Sequence, residues 1–377
     1  MNSPAVLLYL VTEDWYFLAH RLPMACAAQR AGYEVHVATH VNTGAGDIER
    51  HGFVLHPLDW RRGSLNPMRI WSIVREVRAL YRRLAPNLVH HIALQAVVVG
   101  SLAAIGLGPV RLNAFAGLGF GFTSRDSKAR VIRPILARLL RFLLKDRRAA
   151  VSVENPDDRA ALAAFGIPQD RIFLIPGSGI DIEAFVPLPE PQGPMSIAFV
   201  GRLLDDKGVR TLIAAHDILV PKGDAPRLLI AGEADPANPA SIPLDEIESW
   251  RRRPGVEVLG HVTDIRTVWS DAHIAVLPSR REGLPVSLLE AAACGRPIVA
   301  TDVPGCREIA RENVNALLVP PDDPKALADA IHRLAHDRPM RQRFGAAGRR
   351  LVVEEFSSER VGREIVVLYN RLLEQNR

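Results

Sequence analysis

Short runs of apolar residues alternate with amphipathic stretches of helical length along the whole chain. Strand–helix alternation of this kind is typical of parallel, doubly wound sheets covered by helices. Twelve such runs are too many for one comfortable sheet and divide six and six, so the pattern predicts an α/β protein with two Rossmann-like domains. The predicted strands cover residues 5–11, 34–39, 53–58, 87–93, 110–115 and 149–154 in the first half and 195–201, 227–232, 256–260, 273–278, 297–301 and 316–320 in the second.

The division between the two domains should fall in AFVPLPEPQGP, residues 184–194, where four of the eleven residues are proline and one is glycine. That composition is typical of a stiff, extended linker. The predicted domains are residues 1–183 and 195–377, and the last helix is a candidate for packing back onto the first domain. Two such domains would face a cleft between the carboxyl ends of their sheets, where ligands of open α/β sheets bind.

Composition narrows the class of protein. The chain has 377 residues, 48% of them hydrophobic, which suffices for two cores. Cys26, Cys294 and Cys306 form no CxxC pair and have no metal-ligand spacing, so the sequence predicts a reducing compartment. The start lacks a basic region and is interpreted as a first strand, not as a signal peptide. Polar residues, three glycines and a proline interrupt the most apolar window, residues 92–110, so we expect a buried helix there rather than a membrane span.

Charge is distributed unevenly along the chain. Residues 1–150 contain 20 Lys and Arg against 9 Asp and Glu, a net charge of +11, and since the whole chain carries +5, residues 151–377 carry −6. The basic first half is expected to meet nucleic acid, an anionic membrane surface or a phosphorylated substrate. Nucleic acid is disfavoured, because no recognised motif is present and aromatic residues do not interleave the basic segments.

Two segments concentrate this positive charge. Residues 69–84 contain five arginines and one glutamate. In residues 128–148 the basic positions fall within an arc of about 140°, opposite leucines and isoleucines. These positions are Arg130, Arg133, Arg138, Arg141, Lys145 and Arg148. Two interpretations are open. The helix 128–148 is an ordinary surface helix that docks by its apolar side and keeps its arginines in water, or both segments rest on anionic lipid. In the second case each cation near the surface would contribute about 1 kcal/mol of attraction to the membrane.

The loop that follows the predicted strand 195–201 carries two cations. Arg202 and Lys207 come after the strand end at Gly201, and a helix is predicted to begin near Gly208. An arginine fork and a lysine point charge at the carboxyl end of a strand suit a diphosphate. The same pattern also fits two solvated basic residues in a loop, and this loop alone does not decide between the two interpretations.

The segment REGLPVSLLEAAACGRPIVATDVPG, residues 281–305, places two glutamates eight positions apart. A helix is predicted to begin at Pro285 and to end at Gly295, so Glu282 lies in the preceding loop and Glu290 inside the helix. The glycine after Glu282 lets a ligand approach the backbone, and the helix start suits an anion. Glu290 stands among leucines and alanines, so its carboxylate needs partners unless it faces solvent.

At this point the chain resembles a known family. REGLPVSLLEAAACGRPIVATDVPGCREI is similar to the E-x7-E signature of retaining glycosyltransferases with the GT-B fold, glycosyltransferase family four in particular, and VGRLLDDKGV resembles that family's phosphate-binding loop. AGYEVHVAT, IPGSGIDIEAF and ALLVPPDDPKALADAI also resemble its members, and the resemblance covers essentially the whole chain. VTEDWYFLAHRLPMA, SLNP and FAGLGFGF are most similar to the bacterial subgroup that builds lipid-linked polysaccharide or glycan repeat units, including transferases acting on undecaprenyl-diphosphate-linked sugars.

The resemblance implies roles for residues of the second domain. Arg202 and Lys207 would hold the donor diphosphate and neutralise the departing nucleotide, and Glu282 would contact the donor sugar, which makes these three the catalytic candidates. Glu290 would bind the ribose hydroxyls. The remaining donor-binding candidates are Gly283, Leu284, Pro285, His261 and Val262. The family needs neither a metal nor a cofactor, and the sequence contains no DxD motif in a predicted cleft loop.

In the first domain, which would bind the acceptor, the chain departs from the family. Many members carry a histidine in the loop that reads AFAGLGFGF here, residues 114–122, and this loop contains neither a histidine nor an acidic residue. The acceptor-binding candidates are His20, Arg21, Gly117 and Gly119. His90 and His91 stand at a strand end, where a structural role and contact with substrate are both compatible with the sequence.

The implied activity is metal-independent, retaining transfer of a hexose or N-acetylhexosamine from a nucleotide sugar, UDP-linked by subgroup resemblance, to a lipid-linked saccharide in cell-surface polysaccharide biosynthesis. The expected partners are nucleotide sugar, lipid-linked saccharide and an anionic membrane surface, without nucleic acid, at the inner face of the cytoplasmic membrane. Alternatives are a catalytically silent nucleotide-sugar-binding protein, because the loop histidine is missing, and a transferase that uses a GDP-sugar and a soluble acceptor. An epimerase or phosphorylase of the same fold is a further alternative.

Overall fold

The computed structural model describes residues 4–60, 66–115, 117, 127–223, 225–236 and 238–376, without the side chains of 127–133, 135 and 222. The chain forms two compact units, Met1–Gly179 with Ser358–Arg377, and Ile180–Ser357. Each unit contains one parallel sheet flanked by helices. The predicted fold class, two Rossmann-like α/β domains, is therefore confirmed.

The first unit is built on a seven-stranded sheet in the order β3-β2-β1-β4-β5-β6-β7. Its strands are β1 (Val6–Glu13), β2 (Glu34–His40), β3 (Val54–Pro57), β4 (Leu88–Ile92), β5 (Val110–Phe115), β6 (Ala149–Val153) and β7 (Ile172–Leu174). All six strands predicted in this half are present. The edge strand β7 was missed, because three residues are too few to show an alternating pattern.

Eight helices of the described residues belong to the first unit: α1 (Asp14–His20), α2 (Leu22–Arg30), α3 (Ala45–Arg50), α4 (Pro67–Leu84), α5 (Ala93–Ala103), α6 (Ser127–Leu144), α7 (Pro156–Ala164) and the final helix α15 (Ser358–Glu374). The apolar window 92–110 forms α5, which is largely buried as expected. In the described part of the chain, no helix combines the length and apolar character needed to cross a bilayer.

The last helix is anchored to the first unit by close packing and by hydrogen bonds. A Cβ on Gly362 would lie 2.8 Å from Ala27 Cβ, so glycine lets α15 approach α2 closely. The Tyr369 hydroxyl lies 2.9 Å from the Tyr9 hydroxyl and 2.7 Å from His90 Nδ1, inside the core. These buried bonds explain why the end of the chain belongs to the unit in which the chain begins.

The second unit is built on a six-stranded sheet in the order β10-β9-β8-β11-β12-β13. Its strands are β8 (Ser196–Val200), β9 (Arg227–Ala231), β10 (Val256–Gly260), β11 (Ile274–Leu277), β12 (Ile298–Thr301) and β13 (Ala316–Val319). Its α-helices are α8 (Val209–Leu219), α9 (Leu244–Arg251), α10 (Arg266–Asp271), α11 (Val286–Ala293), α12 (Pro304–Ile309), α13 (Pro324–His336) and α14 (Arg338–Glu355). All six predicted strands of this half are present.

The proline-rich segment 184–194 is not a free linker, because it packs on the second unit. Leu188 contacts the core of that unit, and its N–H donates to the Cys294 carbonyl at 3.1 Å. Glu190 accepts hydrogen bonds from Arg341 at 2.6 Å and from Arg338 at 2.9 Å. The division therefore falls before this segment, between Gly179 and Ile180. Composition predicted a stiff segment, but it carries no information about which unit the segment packs against.

Candidate active site

The loops that follow β8 and β11 approach each other closely at the carboxyl edge of the second sheet. The two strands are parallel neighbours, so both loops leave the sheet on the same side. Gly208 has φ +70°, and a Cβ there would collide with the carbonyl oxygen of Pro278. A side chain on Gly232 would likewise collide with the carbonyl of Gly201. Glycine at these positions lets the two loops approach within side-chain contact distance.

Lys207 and Glu282, one from each loop, form a two-pronged ion pair. Lys207 Nζ lies 2.7 Å and 2.9 Å from the two carboxylate oxygens of Glu282. The Ser279 hydroxyl donates to the same carboxylate at 2.6 Å, and the Glu282 side chain is only 8% exposed. Thr301 in turn donates to the Ser279 carbonyl. The structure thus brings two of the three predicted catalytic residues into direct contact.

Below this pair lies the start of α12. A Cβ on Gly305 would collide with the carbonyl oxygens of Glu282 and Gly283, so only glycine allows this approach. The neighbouring Cys306 is fully buried, and burial raises the pKa of its thiol well above the ordinary range. The Glu282–Gly283 backbone therefore rests on a tightly packed floor.

Four further charged residues cross-link the same two loops, and we call them the ion-pair clamp: Asp205, Asp206, Arg280 and Arg281. Arg280 pairs with Asp205 and Arg281 with Asp206, and the Arg280 N–H donates to the Asp206 carbonyl at 2.8 Å. Burial acts to raise the pKa of the Asp205 carboxyl, but hydrogen bonds from Arg210 and Arg280 outweigh burial and lower this pKa below its ordinary value. This clamp was not predicted from the sequence. The only signal was the complementary order of DD before Lys207 and RR before Glu282.

Arg202, the third predicted catalytic residue, pairs with a residue outside this cluster. Its guanidinium pairs with Asp235 at 2.8 Å, and its side chain is 47% exposed. Asp235 follows β9, the strand next to β8 in the sheet. Arg202 is therefore at the same edge of the sheet as Lys207, but it is oriented toward the neighbouring loop.

The segment that carries the second glutamate folds as predicted, with one small difference. Glu282 lies in the loop and Glu290 in α11, which begins at Val286 because Pro285 is the residue before the helix. Gly295, with φ +73°, follows the end of the helix. Burial raises the pKa of Glu290 to about 7, against the opposing effect of a 3.4 Å hydrogen bond from the Trp269 indole.

His261 and Val262, two of the predicted donor-binding residues, follow β10 at this same edge. Gly260 ends the strand with φ +70°, and its carbonyl accepts from the Gly232 N–H at 2.8 Å. His261 is exposed, and Val262 is partly buried against the core. In the order β10, β9, β8 and β11, the edge thus presents His261, then Asp235 and Arg202, then Lys207 with Glu282. A ligand whose anionic part lies beside Arg202 and Lys207, and whose other end lies beside His261, would fit this row.

The predicted acceptor-binding residues of the first unit differ in their burial. Arg21 is buried and pairs with Glu154 at 3.1 Å, whereas His20 is partly exposed beside the Tyr16 ring, with 4.5 Å between ring centroids. Gly117 has φ +79°, and Gly119 lies outside the described residues, as does most of the segment 114–122.

The two histidines of β4 belong to the core. His91 is hydrogen-bonded to Tyr81 at 2.9 Å and to Asn113 at 2.8 Å, and burial lowers its pKa to about 3. Burial likewise holds the pKa of His90 well below the ordinary value. Both rings are therefore neutral and fixed, which favours the structural interpretation.

The basic helix is partly within the described residues. In α6, Arg138 and Arg141 are exposed and Leu140 and Leu143 are buried, as the amphipathic pattern predicted. The side chains of Arg130 and Arg133 lie outside the described set. Arg141 also donates to the Phe165 carbonyl at 2.9 Å, so this arginine helps to dock the helix rather than only lying in water.

Comparison with known proteins gives consistent matches for both halves. Residues 6–152 match the family described as glycosyl transferase 4-like, and residues 194–337 match the family described as glycosyl transferases group 1. A capsular polysaccharide biosynthesis glycosyltransferase of Staphylococcus aureus is 31% identical over 48% of this chain and 47% of that protein. An N,N'-diacetylbacillosaminyl-diphospho-undecaprenol α-1,3-N-acetylgalactosaminyltransferase of Campylobacter jejuni is 26% identical over 85% of this chain and 87% of that protein.

Solved structures share the fold over nearly the whole length. A sucrose-phosphate synthase from Thermosynechococcus elongatus aligns with a TM-score of 0.82 at 22% identity, covering 98% of this chain and 99% of that chain. Anabaena Alr3699/HepE, in complex with UDP and glucose, aligns with a TM-score of 0.77 at 17% identity, covering 97% and 99%. At these identities the likeness concerns the fold. The fold is therefore that of GT-B glycosyltransferases, and each half of the chain matches a glycosyltransferase family.

Proposed function

We propose that this protein is a metal-independent, retaining glycosyltransferase that moves a hexose or N-acetylhexosamine from a UDP-sugar to a lipid-linked saccharide. The observation that carries the proposal is the Lys207–Glu282–Ser279 cluster at the carboxyl edge of the second sheet, next to the start of α11. A cation, a carboxylate and a helix N-terminus at one sheet edge suit a sugar attached to a diphosphate.

Binding of the donor would separate Lys207 from Glu282 and give each of them a new partner. A diphosphate offers Lys207 a stronger anion, and Glu282, held by Ser279, would then accept hydrogen bonds from hydroxyls of the donor sugar. Lys207 and Arg202 would neutralise the negative charge that develops on the departing diphosphate. Glu290 would accept hydrogen bonds from the ribose hydroxyls, which requires its ionised form.

Retention would follow from displacement on the same face of the sugar. The acceptor oxygen bonds to the anomeric carbon as the bond from that carbon to the phosphate oxygen breaks, and the acceptor proton passes to the departing phosphate. No side chain acts as nucleophile in this scheme. It fits a cluster whose carboxylate, that of Glu282, is already hydrogen-bonded by Lys207 and Ser279.

Metal independence follows from the same cations. Lys207, Arg202 and the start of α11 would supply the positive charge that a divalent cation supplies elsewhere. We expect the transfer rate to be unchanged by EDTA, and a loss that is restored by added Mg²⁺ or Mn²⁺ would overturn this part of the proposal.

A lipid-linked acceptor would explain the basic first unit. The name of the Campylobacter relative specifies an undecaprenol-linked acceptor for that protein. On α4, Met68, Trp71, Arg75 and Arg82 are exposed at helical spacing, so apolar and cationic side chains share one stripe. Such a stripe suits the interface of an anionic membrane, here the inner face of the cytoplasmic membrane. Flotation with anionic vesicles tests it, and equal recovery from neutral and anionic vesicles, or none from either, would contradict it.

Thermal shifts with UDP-, GDP- and ADP-sugars, followed by transfer assays, test the donor assignment. Glu290→Ala should weaken nucleotide binding, and Glu282→Ala should reduce turnover more than nucleotide affinity. Glu257→Ala is the matched control, because Glu257 is an exposed glutamate of β10 that pairs with Arg227. Near-normal turnover in both site variants would refute the site assignment. Binding of a nucleotide sugar without any transfer would favour the silent-scaffold alternative.

A further inference from the structure

The Glu290 carboxylate has one anchored oxygen and one open oxygen. Oε2 accepts a hydrogen bond from the Trp269 indole at 3.4 Å. Oε1 accepts none from the described residues, and it is not among their sealed polar atoms, so solvent reaches it. A carboxylate that is held at one oxygen presents the other to a ligand in a defined direction.

Trp269 is built into the core beside this carboxylate. It lies in α10, is 1% exposed and belongs to the same hydrophobic core as Leu288 and Leu289, which precede Glu290 in α11. An indole nitrogen donates hydrogen bonds and cannot accept them, so this contact favours the ionised carboxylate. Ribose hydroxyls that donate to Glu290 require the same ionised form.

Arg296 fixes the backbone of Trp269. Its Nε donates to the Trp269 carbonyl at 2.8 Å, and its Nη2 donates to the Pro189 carbonyl, also at 2.8 Å. The backbone N–H of Arg296 donates to the Ala291 carbonyl of α11 at 2.8 Å, and the residue is only 3% exposed. One buried arginine therefore joins α10, α11 and the segment 184–194.

The Arg296 side chain needs its planar fork for these contacts. Burial opposes the positive charge and lowers the pKa of Arg296, so the buried guanidinium depends on its hydrogen bonds. A fork can address two carbonyls on different segments at once, whereas a lysine ammonium is a single point charge. The position of Trp269 is therefore tied to the segment 184–194 through one side chain.

We propose that Trp269 and Arg296 are positioning residues for Glu290: Arg296 ties Trp269 to the segment 184–194, and the Trp269 N–H aims the carboxylate at the ribose of the donor. The inference rests on the proposed function, which assigns the ribose hydroxyls to Glu290. In this scheme neither residue contacts the donor. Their loss weakens recognition of the ribose hydroxyls and leaves the diphosphate with Arg202 and Lys207.

Calorimetric titration of the full chain with UDP and with dideoxy-UDP, which lacks both ribose hydroxyls, tests the positioning. The ratio of the two affinities measures hydroxyl recognition, and a general weakening of the nucleotide site cancels from it. Trp269→Phe keeps an aromatic ring and removes the N–H, and Arg296→Lys keeps the charge and removes the fork. We expect the parent protein to prefer UDP by about tenfold or more, and this ratio to fall about three- to tenfold in both variants.

Two variants of the second unit are matched controls. Trp250→Phe makes the same change in the core at α9. Arg349→Lys removes the fork of another arginine that donates to backbone carbonyls, those of Phe185 and Ala293, and none of its bonds among the described residues reaches Trp269. Both controls should keep the ratio of the parent protein, and an equal fall in either control would overturn the inference.

An unchanged ratio in Trp269→Phe, with UDP still bound, would overturn the inference and leave the proposed function standing. A fall in Trp269→Phe without a fall in Arg296→Lys would remove the role of Arg296. If Trp269→Phe does not fold, Arg296→Lys decides by the same ratio. A parent protein that binds no UDP, or binds it without preferring it to dideoxy-UDP, would remove the ribose assignment of the proposed function and this inference with it.

Discussion

The carboxyl edges of the two sheets use polar residues in opposite ways. In the second unit, Lys207 and Glu282 pair near solvent, and the ion-pair clamp holds their loops together. In the first unit, the polar groups of β4 are sealed inside the core, where His90 and His91 bond to tyrosines and to Asn113. A pair near solvent can exchange partners with a ligand, whereas a buried network cannot do so without unfolding.

The difference has an energetic basis. The Lys207–Glu282 pair is partly buried, with 22% and 8% of the two side chains exposed, so a ligand that separates the pair must supply new partners for both charges. Breaking a buried hydrogen bond leaves an unsatisfied group at about 1–3 kcal/mol. We therefore expect ligand exchange at the second edge and a structural role for the polar groups of the first. Four predictions test this contrast, ordered from the largest expected effect.

Lys207→Ala should cause the largest loss of activity. It removes the cation that would neutralise the developing phosphate charge, and it takes away the ion-pair partner of Glu282, which keeps its hydrogen bond from Ser279. We expect kcat/KM to fall by about 10²–10³, the usual effect of removing one preorganised donor. Lys325→Ala is the control, since Lys325 forms an exposed pair with Asp329 on α13. A loss below tenfold in steady-state assays would mean that Lys207 does not contact the reacting phosphate.

Glu290→Gln should change how stability depends on pH. Folding raises the pKa of Glu290 from 4.5 to about 7, so the folded state holds more protons between these values. The free energy of unfolding therefore falls as pH rises through this window and levels off above it, by about 3 kcal/mol at most. Urea unfolding at pH 5 and pH 8 should show a smaller drop in Glu290→Gln than in the parent protein.

Glu257→Gln is the control for this pH measurement, because a hydrogen bond from Arg227 lowers the pKa of Glu257 instead of raising it. An identical pH dependence in Glu290→Gln and the parent protein would show that Glu290 is ionised in the folded protein throughout the window. Nucleotide affinity of the parent should rise with pH through about 7, because the ribose requires the ionised carboxylate.

Tyr369→Phe should weaken the first unit without affecting the second. It removes the hydroxyl between Tyr9 and His90, and we expect a cost of about 1–3 kcal/mol in the free energy of unfolding. Tyr33→Phe removes a hydroxyl that donates to Asn370 at 2.7 Å in a partly buried position, so its cost should be smaller. Denaturant unfolding measures both, and a lowered UDP affinity in Tyr369→Phe would contradict the separation between the two edges.

The ion-pair clamp should show the smallest effect, and the effect should be reversible by exchange of charge. Asp206→Arg or Arg281→Asp alone should lower kcat/KM about three- to tenfold, because like charges push apart the loops that carry Lys207 and Glu282. The double exchange should restore most of the activity. Exchange of Arg227 with Glu257, an exposed pair on β9 and β10, should change nothing. Failure of the double exchange to recover would show that the clamp does not position the loops.

Much of the fold was predictable because buried strands show up in the sequence as runs of apolar residues. All twelve predicted strands form, since a strand buried on both faces must be a continuous apolar run. Two local features were predictable from turn chemistry alone: the end of α11 just before Gly295 and the loop that contains Glu282. The strand β7 and the packing of residues 184–194 were not, because a short edge strand and a docked loop have no periodic pattern.

The members of the candidate site stay predictions from the sequence, whereas their contacts became visible only in the structure. Lys207, Glu282 and Glu290 were identified from spacing and resemblance, but Ser279, Trp269 and the ion-pair clamp were not. Ser279 is only three positions from Glu282, but no motif marks its hydroxyl as a donor. Trp269 and the ion-pair clamp act through partners 21 and 75 positions away, and Lys207 is itself 75 positions from Glu282. Arg21 and His90 were ambiguous for the same reason, since only the folded chain places them in the interior.

By itself the sequence determined two parallel sheets, the order of their elements and the loops in which charged residues stand, because periodicity and turn chemistry are local properties. The tertiary structure decided which of those charges meet, which histidines are sealed in the core and which unit receives the last helix. Those outcomes depend on strand order and on glycines at close approaches, such as Gly208 against Pro278, and both arise only when distant segments pack together.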